Sequence, residues 1–286
     1  MRRPLAAALL ASVAVSAGAW QSLTLPMKEG SVRFAVIGDS GTGGSAQQRV
    51  AQQIVASRAR FPFDFALMLG DNLYGGEDPG DYEKKFERPY KPLLDAGVKF
   101  YAALGNHDDP AQRFYKPFNM NGERYYSFKP PKGDGVRFFA LDSNYMSKEQ
   151  LAWLEKELAA SGSDWKICFF HHPIYSSGDR HGSDEALREQ VEPLFVKYGV
   201  SVVFTGHEHF YERLKPQKGI TYIISGSAAK LRKGDIEKSD MTAKGYDTGY
   251  AFVLAEITGN ELYFHTIDGQ GRTVDSGVIQ RREQKF

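Results

Sequence analysis

The sequence predicts an α/β protein in which β-sheets are covered by helices. From residue 31 onward, short runs of β-branched and aromatic residues alternate with helical patterns, which is typical of that class. Several of these runs are almost continuously apolar, as expected of strands that are buried on both faces. After residue 210 the strands follow one another without convincing helices, which predicts that antiparallel strands close a second sheet.

The first part of the chain contains six predicted strands and three predicted helices. The strands, in order, are VRFAVIG, DFALMLG, VKFYAALG, VRFFALD, WKICFFH and VSVVFTG. The helices are SAQQRVAQQIVASRAR, SKEQLAWLEKELAA and SDEALREQVEPLF. Ser147 and Gln150 have the spacing of a capping box at the start of the second helix. Pro193 interrupts the third helical pattern and predicts a kink there.

The later part of the chain contains four further predicted strands, which are ITYIISG, AFVLAEI, ELYFHTI and GRTVDSGVI. Residues 231–248 are charged and lack periodicity, which predicts a surface loop. Because no linker of distinct composition divides the chain, we expect one domain from residue 30 to residue 286.

The first residues predict export. A basic start at Arg2 and Arg3, an apolar run from Leu5 to Val15 and the small residues at 17–19 are typical of a secretory signal peptide at residues 1–19. An uncleaved membrane anchor is the alternative, but the run is shorter than the roughly 18–20 apolar residues that a span needs. We therefore expect an exported protein, periplasmic or secreted, with no membrane span after signal removal.

Charge and cysteine content restrict the possible partners. The 36 basic and 35 acidic residues give a formal net charge of +1, so no charge excess indicates nucleic acid or a membrane surface. Cys168 is the only cysteine, which excludes an internal disulfide and a thiolate metal cluster. His, Asp, Asn and Tyr remain as candidate metal ligands.

Such residues follow five of the predicted strands. The carboxyl ends of strands are where open α/β sheets place ligand sites. Any one of these motifs could be a turn or a structural pair, but five in one chain predict a metal site. The candidates are Asp39 in GDSG, Asp71 and Tyr74 in GDNLY, Asn106 and His107 in GNHDD, His171 and His172 in HHP, and His207 and His209 in GHEH.

The ordered motifs resemble those of the calcineurin-like metallophosphoesterase superfamily, whose pattern is D-x-[HG], GD, GNH[DE], H and GHxH. Most phosphodiesterases and nucleases of that superfamily carry a histidine where this chain has Gly41. Tyr74 is the candidate substitute, because GD-x-x-Y is the distinguishing pattern of the purple acid phosphatases. The chain is most similar to their small tartrate-resistant type. The resemblance implies a four-layer αββα sandwich, with two mixed sheets packed face to face and flanking helices, and makes residues 30–286 a metallophosphoesterase domain.

The resemblance also implies a dinuclear centre. Asp39, Tyr74 and His209 would hold Fe(III), while Asn106, His171 and His207 would hold a divalent iron, zinc or manganese ion, and Asp71 would bridge the two. A phenol with an ordinary pKa near 10 becomes a good anionic ligand only beside a strong Lewis acid such as trivalent iron.

The implied activity is that of an acid phosphatase, which hydrolyses small phosphate monoesters with a metal-bound hydroxide as nucleophile. His107 and His181 would bind the phosphoryl group and protonate the leaving alkoxide. Imidazole titrates near pH 6.5, so both are expected to be cationic under mildly acidic conditions, with an acidic pH optimum.

Three further expectations accompany this interpretation. A phosphodiesterase or nucleotide-processing enzyme on the same core is the nearest alternative, and a non-catalytic exported metal- or phosphate-binding protein is the second. Because side chains alternate along a strand, His171 and His172 are not both expected to face one ion. The resemblance implies that the ligand is the residue two before the proline, which is His171, so His172 is expected to pack or face solvent. His265 lies within a strand pattern away from the motifs and is expected to be structural.

Overall fold

The computed structural model describes residues 24–133 and 135–283, so the predicted signal peptide at residues 1–19 lies outside the described residues. Two mixed sheets pack face to face, and helices cover both outer faces. The predicted α/β four-layer αββα sandwich is confirmed.

Within the described residues, thirteen strands form the two sheets. They are β1 (Val32–Ile37), β2 (Phe65–Met68), β3 (Lys99–Ala102), β4 (Tyr126–Phe128), β5 (Val136–Ala140), β6 (Trp165–Phe170), β7 (Val202–Thr205), β8 (Tyr211–Leu214), β9 (Thr221–Ser225), β10 (Thr242–Tyr246), β11 (Ala251–Thr258), β12 (Glu261–Asp268) and β13 (Thr273–Gln280). The first sheet has the order β13-β12-β11-β1-β2-β3 and the second has the order β10-β8-β9-β7-β6-β5-β4.

Each sheet contains a run of parallel strands, which lies at one edge of the first sheet and inside the second. In the first sheet β1, β2 and β3 are parallel, with Phe34 beside Phe65 in the register of β1 and β2. In the second sheet β5, β6, β7 and β9 are parallel. The remaining strands pair antiparallel at the flanks. The carboxyl ends of the parallel strands in each sheet therefore lie at the same edge of that sheet, and the loops that follow these strands begin there.

Two expectations for the later part of the chain are wrong. The antiparallel strands β11, β12 and β13 do not close a second sheet, because β11 pairs with β1 and extends the first sheet. The segment 231–248 is not entirely loop, since Thr242–Tyr246 pairs with β8 as an edge strand. The letters TAKGY carry no alternation of apolar and polar residues, so the pattern on which strand prediction depends is missing there.

The helices are α1 (Ser45–Arg58), α2 (Pro79–Tyr82), α3 (Arg88–Asp95), α4 (Lys148–Ala160) and α5 (Glu185–Tyr198). A π-helical turn (Glu83–Glu87) joins α2 to α3, and 3₁₀ turns occupy Pro110–Phe114 and Lys116–Phe118. Ser147 caps α4 by accepting the backbone N–H of Gln150, as predicted. The Gln150 amide instead bonds to the backbone of Asp142, so the second half of the capping box is absent. Helix α5 continues through Pro193.

In the part of the chain that the structure describes, three apolar clusters hold the layers together. Between the sheets, Phe34 stacks on Phe65 at 5.4 Å and meets the edge of Phe138 from the other sheet at 5.2 Å. One outer cluster packs residues of α1 and α3, such as Ile54, against the first sheet. The other packs residues of α4 and α5, such as Leu154, against the second sheet. No helix within residues 24–133 and 135–283 is long and apolar enough to cross a bilayer.

Candidate metal centre

The first cluster at the strand ends joins Asp39, Tyr74 and His209. The Tyr74 hydroxyl donates to Asp39 Oδ1 at 3.0 Å and lies 3.4 Å from His209 Nε2. His209 Nε2 also lies 3.4 Å from Asp39 Oδ1. Three potential donor atoms, from the loops after β1, β2 and β7, therefore meet at one point.

The second cluster joins Asn106, His171 and His207. Asn106 Oδ1 lies 2.9 Å from His171 Nε2 and 3.0 Å from His207 Nδ1, and the two ring nitrogens are 3.1 Å apart. His171 Nδ1 contacts the carbonyl of Leu69 at 2.8 Å. Because that carbonyl can only accept, it directs the free lone pair of His171 to Nε2, inside the cluster.

Asp71 lies between the two clusters. Its Oδ1 is 3.4 Å from His171 Nε2 in the second cluster. Its carboxylate also forms a group with Asp39 and His209 in which the ligand atoms all lie within 4.8 Å of one another. The backbone N–H of His107 donates to the same Oδ1 at 3.0 Å, which fixes the carboxylate. Asp71 thus has the position that a bridging ligand would need.

The backbone is strained at three of these residues. The φ values are 55° at Asp39, 52° at Asp71 and 68° at His207. They lie in the left-handed region of backbone conformation, which residues other than glycine rarely adopt. Such strain costs of order 1–3 kcal/mol per residue and concentrates at functional sites. The left-handed conformation turns the chain sharply after the end of each strand, so that the side chains converge.

The protonation behaviour of the cluster suits metal binding. Burial raises the pKa of Asp39 well above its usual range, and the neighbouring Asp71 carboxylate adds to the rise. Burial lowers the pKa of His207 to about 2 and that of His209 to about 3. The imidazoles are therefore neutral with free lone pairs, which is the ligand form, and the crowded carboxylates gain from a cation placed between them.

Gly41 explains why tyrosine replaces histidine here. A Cβ at this position would lie 1.8 Å from the Asn72 carbonyl oxygen, so no side chain fits. The Tyr74 N–H donates to the Gly41 carbonyl at 2.9 Å and holds the GDNLY loop against this glycine. The close approach that brings Tyr74 into the first cluster therefore excludes a histidine at residue 41.

The two predicted non-ligand histidines flank the clusters. The His107 ring is exposed and its centroid lies 5.0 Å from that of Tyr74. The His181 ring lies 4.3 Å from that of His207, and its Nε2 is 3.0 Å from an Arg232 guanidinium nitrogen. Burial, followed by the Arg232 charge, lowers the pKa of His181. His181 therefore becomes cationic at a lower pH than an unperturbed imidazole does. This lowering of its pKa could not be predicted from the sequence.

His172 lies closer to the site than expected. It is half-buried, and its ring lies 4.6 Å from that of His207. With His171 and His207 it forms a second group of ring nitrogens within 4.8 Å of one another, while its Nδ1 contacts the Ser143 hydroxyl at 2.9 Å. Strand β6 ends at Phe170, so the alternation of side chains no longer applies at residues 171 and 172. His265 lies within β12, as its pattern predicts.

Several polar residues around the site were not predicted. Lys230 places its ammonium nitrogen 4.3 Å from the centre of the Tyr74 ring. Asp108 accepts the backbone N–H groups of Gly105 and Leu73, which joins the GNHDD loop to the GDNLY loop. Arg232 contacts both the ring of His181 and the carboxylate of Glu208. The first aspartate of GNHDD was a usable signal for Asp108, whereas the others depend on tertiary contacts.

The segment that carries these clusters matches a known family. A model of the calcineurin-like phosphoesterases matches residues 32–211, which carry all the motifs described, and the chain belongs to that family.

Among its relatives, human tartrate-resistant acid phosphatase type 5 is 28% identical over an alignment of 314 positions, gaps included, which covers 92% of this chain and 96% of that protein. Purple acid phosphatase 17 of Arabidopsis thaliana is 28% identical over an alignment of 298 positions, covering 90% of this chain and 88% of that protein.

Solved structures share the fold. Purple acid phosphatase PPD1 from yellow lupin superposes with a TM-score of 0.73 at 20% identity, covering 90% of this chain and 55% of that chain. GAP50, described as the anchor in the inner membrane complex of Plasmodium, gives a TM-score of 0.75 at 18% identity and covers 89% of this chain and 90% of that one. One fold thus serves different roles, so function must be argued from the site.

Proposed function

We propose that this protein is an exported acid phosphatase that hydrolyses small phosphate monoesters with a dinuclear Fe(III)–M(II) centre, where M is iron, zinc or manganese. The observation that carries the proposal is the contact of the Tyr74 hydroxyl with both Asp39 and His209. The relatives named as tartrate-resistant and purple acid phosphatases support it, because they align over most of the chain.

The donor sets suit two different ions. Asp39, Tyr74 and His209 would hold the trivalent ion, and their two oxygen donors match a hard cation. Burial and the nearby carboxylates raise the pKa of Tyr74, so only a strong Lewis acid would displace the phenolic proton. Neutral Asn106, His171 and His207 would hold the divalent ion, with Asp71 shared. When bound, such a pair supplies Lewis-acid charge for in-line displacement at phosphorus.

The remaining residues would act on the substrate. The ring of His107 lies beside Tyr74, and that of His181 lies beside His207. From there their ring nitrogens would bind phosphoryl oxygens and deliver a proton to the leaving alkoxide. The half-buried Lys230 ammonium adds positive charge on the Tyr74 side, which favours an anionic substrate.

Replacing Tyr74 by phenylalanine tests the metal assignment. We expect the oxidised, iron-loaded wild type to show a visible tyrosinate charge-transfer band and Tyr74→Phe to lose it, because the phenolate is the absorbing ligand. Metal analysis and visible spectra of the two proteins measure this. Tyr145→Phe is the matched control, since the Tyr145 side chain is exposed. A colourless iron-loaded wild type, or a coloured Tyr74→Phe variant, would contradict the assignment.

Substrate preference tests the reaction. We expect metal-loaded protein to hydrolyse a phosphate monoester faster than the corresponding bis-ester. Dialysis against a chelator should abolish turnover, and readdition of iron with zinc or manganese should restore it, because both ions take part. A preference for the bis-ester would instead support a phosphodiesterase, and the absence of turnover with metals fully loaded would support a non-catalytic binding protein.

A further inference from the structure

We propose that Arg232 is a positioning residue that holds the His181 ring over the metal centre, and that the buried carboxylate of Glu208 holds Arg232 in place. The inference deepens the proposed function and rests on it, because it concerns how His181 reaches the leaving group. It assigns a role to Arg232 and Glu208, two charged residues that belong to neither candidate metal-binding cluster.

Glu208 is placed between two candidate metal ligands in the chain, yet its own contacts are with neighbouring loops. The side chain is fully buried. Oε1 accepts the backbone N–H of Gly182 at 2.9 Å, and Oε2 pairs with Arg232 Nη1 at 3.3 Å. A Cβ at Gly178 would lie 2.6 Å from Oε1, so the loop that carries His181 runs directly against this carboxylate. A buried carboxylate is costly unless it is paired in this way.

Arg232 connects this carboxylate to the ring of His181. Its backbone N–H donates to the His209 carbonyl at 3.0 Å, which anchors it to the GHEH segment. Its Nη2 donates to His181 Nε2 at 3.0 Å. A guanidinium carries only donors and keeps its proton, so Nε2 must accept. The Arg232 contact therefore selects the neutral tautomer of His181 with hydrogen on Nδ1. The Nδ1–H bond is the one that would break when His181 gives a proton to the leaving alkoxide, while Arg232 stays bonded at Nε2.

The backbone reinforces the same arrangement. The loop that carries His181 runs antiparallel to the segment that follows Arg232, with a bridge between Gly178 and Ile236. Within it, the Asp179 N–H donates to the Asp235 carbonyl at 2.8 Å, and the Glu237 N–H donates to the Ser177 carbonyl at 2.8 Å. The two segments form one unit, and both Glu208 and Arg232 connect this unit to the GHEH segment.

A positioning role and a merely structural role predict different kinetics. A proton donor matters for a poor leaving group such as an alkoxide, whereas p-nitrophenolate departs with little help. Misplacing His181 should therefore slow alkyl phosphates selectively. General loosening of the site would slow both kinds of substrate alike.

The test compares metal-loaded wild type, Arg232→Met and Arg232→Lys on an alkyl phosphate and on p-nitrophenyl phosphate. General acids contribute about 10²–10⁴-fold, so we expect Arg232→Met to lower kcat on the alkyl phosphate about 10–100-fold and on p-nitrophenyl phosphate less than about threefold. Arg232→Lys should recover part of the loss, because an ammonium can still donate to Nε2. Lys233→Met, at an exposed neighbouring position, is the matched control and should match the wild type.

A double-mutant cycle with His181→Asn separates positioning from independent action. If Arg232 acts through His181, the double variant should be no slower on the alkyl phosphate than His181→Asn alone. Nitrogen NMR of histidine-labelled, metal-free protein adds a readout that needs no turnover. His181 should be the Nδ1–H tautomer in the wild type and should lose that preference in Arg232→Met.

Three outcomes would overturn the inference: equal losses on both substrates, additive losses in the double variant, or an unchanged His181 tautomer. Glu208→Gln should show the same selective loss as Arg232→Met, and its unfolding temperature shows whether the variant folds. If the metal-loaded wild type turned over neither monoester, the proposed function would fail and the kinetic part of the inference with it. A wild type that hydrolyses both, with unselective variants, would overturn the inference alone.

Discussion

Replacing Asp71 by alanine is expected to reduce the bound metal to well below wild-type occupancy and to lower kcat for a phosphate monoester about a thousandfold or more. The reason is its position, because its carboxylate is within reach of both clusters. Loss of metal charge removes several kcal/mol of transition-state stabilisation. Elemental analysis of the purified variant and steady-state kinetics measure the two effects.

Asp95→Ala is the matched control for this variant. The Asp95 carboxylate is exposed and pairs with Lys91 on the surface of α3. Surface changes of this kind usually alter stability by no more than about 0.5 kcal/mol, so metal content and kcat should match the wild type. An Asp71→Ala protein that keeps its metal and retains kcat within about tenfold of the wild type would show that Asp71 does not bridge the clusters.

Gly41→Ala is expected to lower the free energy of unfolding by about 3 kcal/mol or more. The new Cβ would lie 1.8 Å from the Asn72 carbonyl oxygen, and a backbone atom cannot rotate away as a side chain can. For a domain of this size the change corresponds to a fall of roughly 6–12 °C in Tm. Thermal unfolding followed by circular dichroism measures the difference.

Gly80→Ala provides the comparison. Nothing lies within 4 Å of a Cβ at Gly80, which belongs to α2. Alanine is favoured over glycine in a helix, so this variant should be as stable as the wild type or slightly more stable. Similar unfolding temperatures for the two variants would show that the GDNLY loop is not packed against residue 41.

Much of the fold is predictable because buried strands have a clear pattern. VRFAVI and WKICFF are apolar along their whole length, and they form β1 and β6 in the centres of the two sheets. The partner of β11 could not be predicted, because strand pairing depends on contacts far apart in sequence. The turn of helix at Pro79–Tyr82 and the π turn that follows were missed because their residues, PGDYEKKFE, mix a helix breaker with charges.

The candidate site, like the fold, could be predicted from the sequence only in part. Asp39, Asp71 and His207 follow parallel strands, so their convergence could be expected from strand direction alone. The contacts of Arg232 could not, because it lies in a charged segment that has the composition of a solvated surface. Its partners Glu208 and His181 are 24 and 51 residues away in the chain, and no local pattern connects them.

The contact between Gly41 and the GDNLY loop has a consequence for how such sites can evolve. In a chain that acquired a histidine at residue 41 while keeping Tyr74, the new side chain would displace the GDNLY loop before the histidine could act as a ligand. A chain that lost Tyr74 first would lack a ligand until residue 41 changed. Neither single step preserves three donors in the first cluster, so exchange between the tyrosine and histidine versions requires at least two coordinated substitutions. Lineages are therefore expected to stay with the version that they inherited.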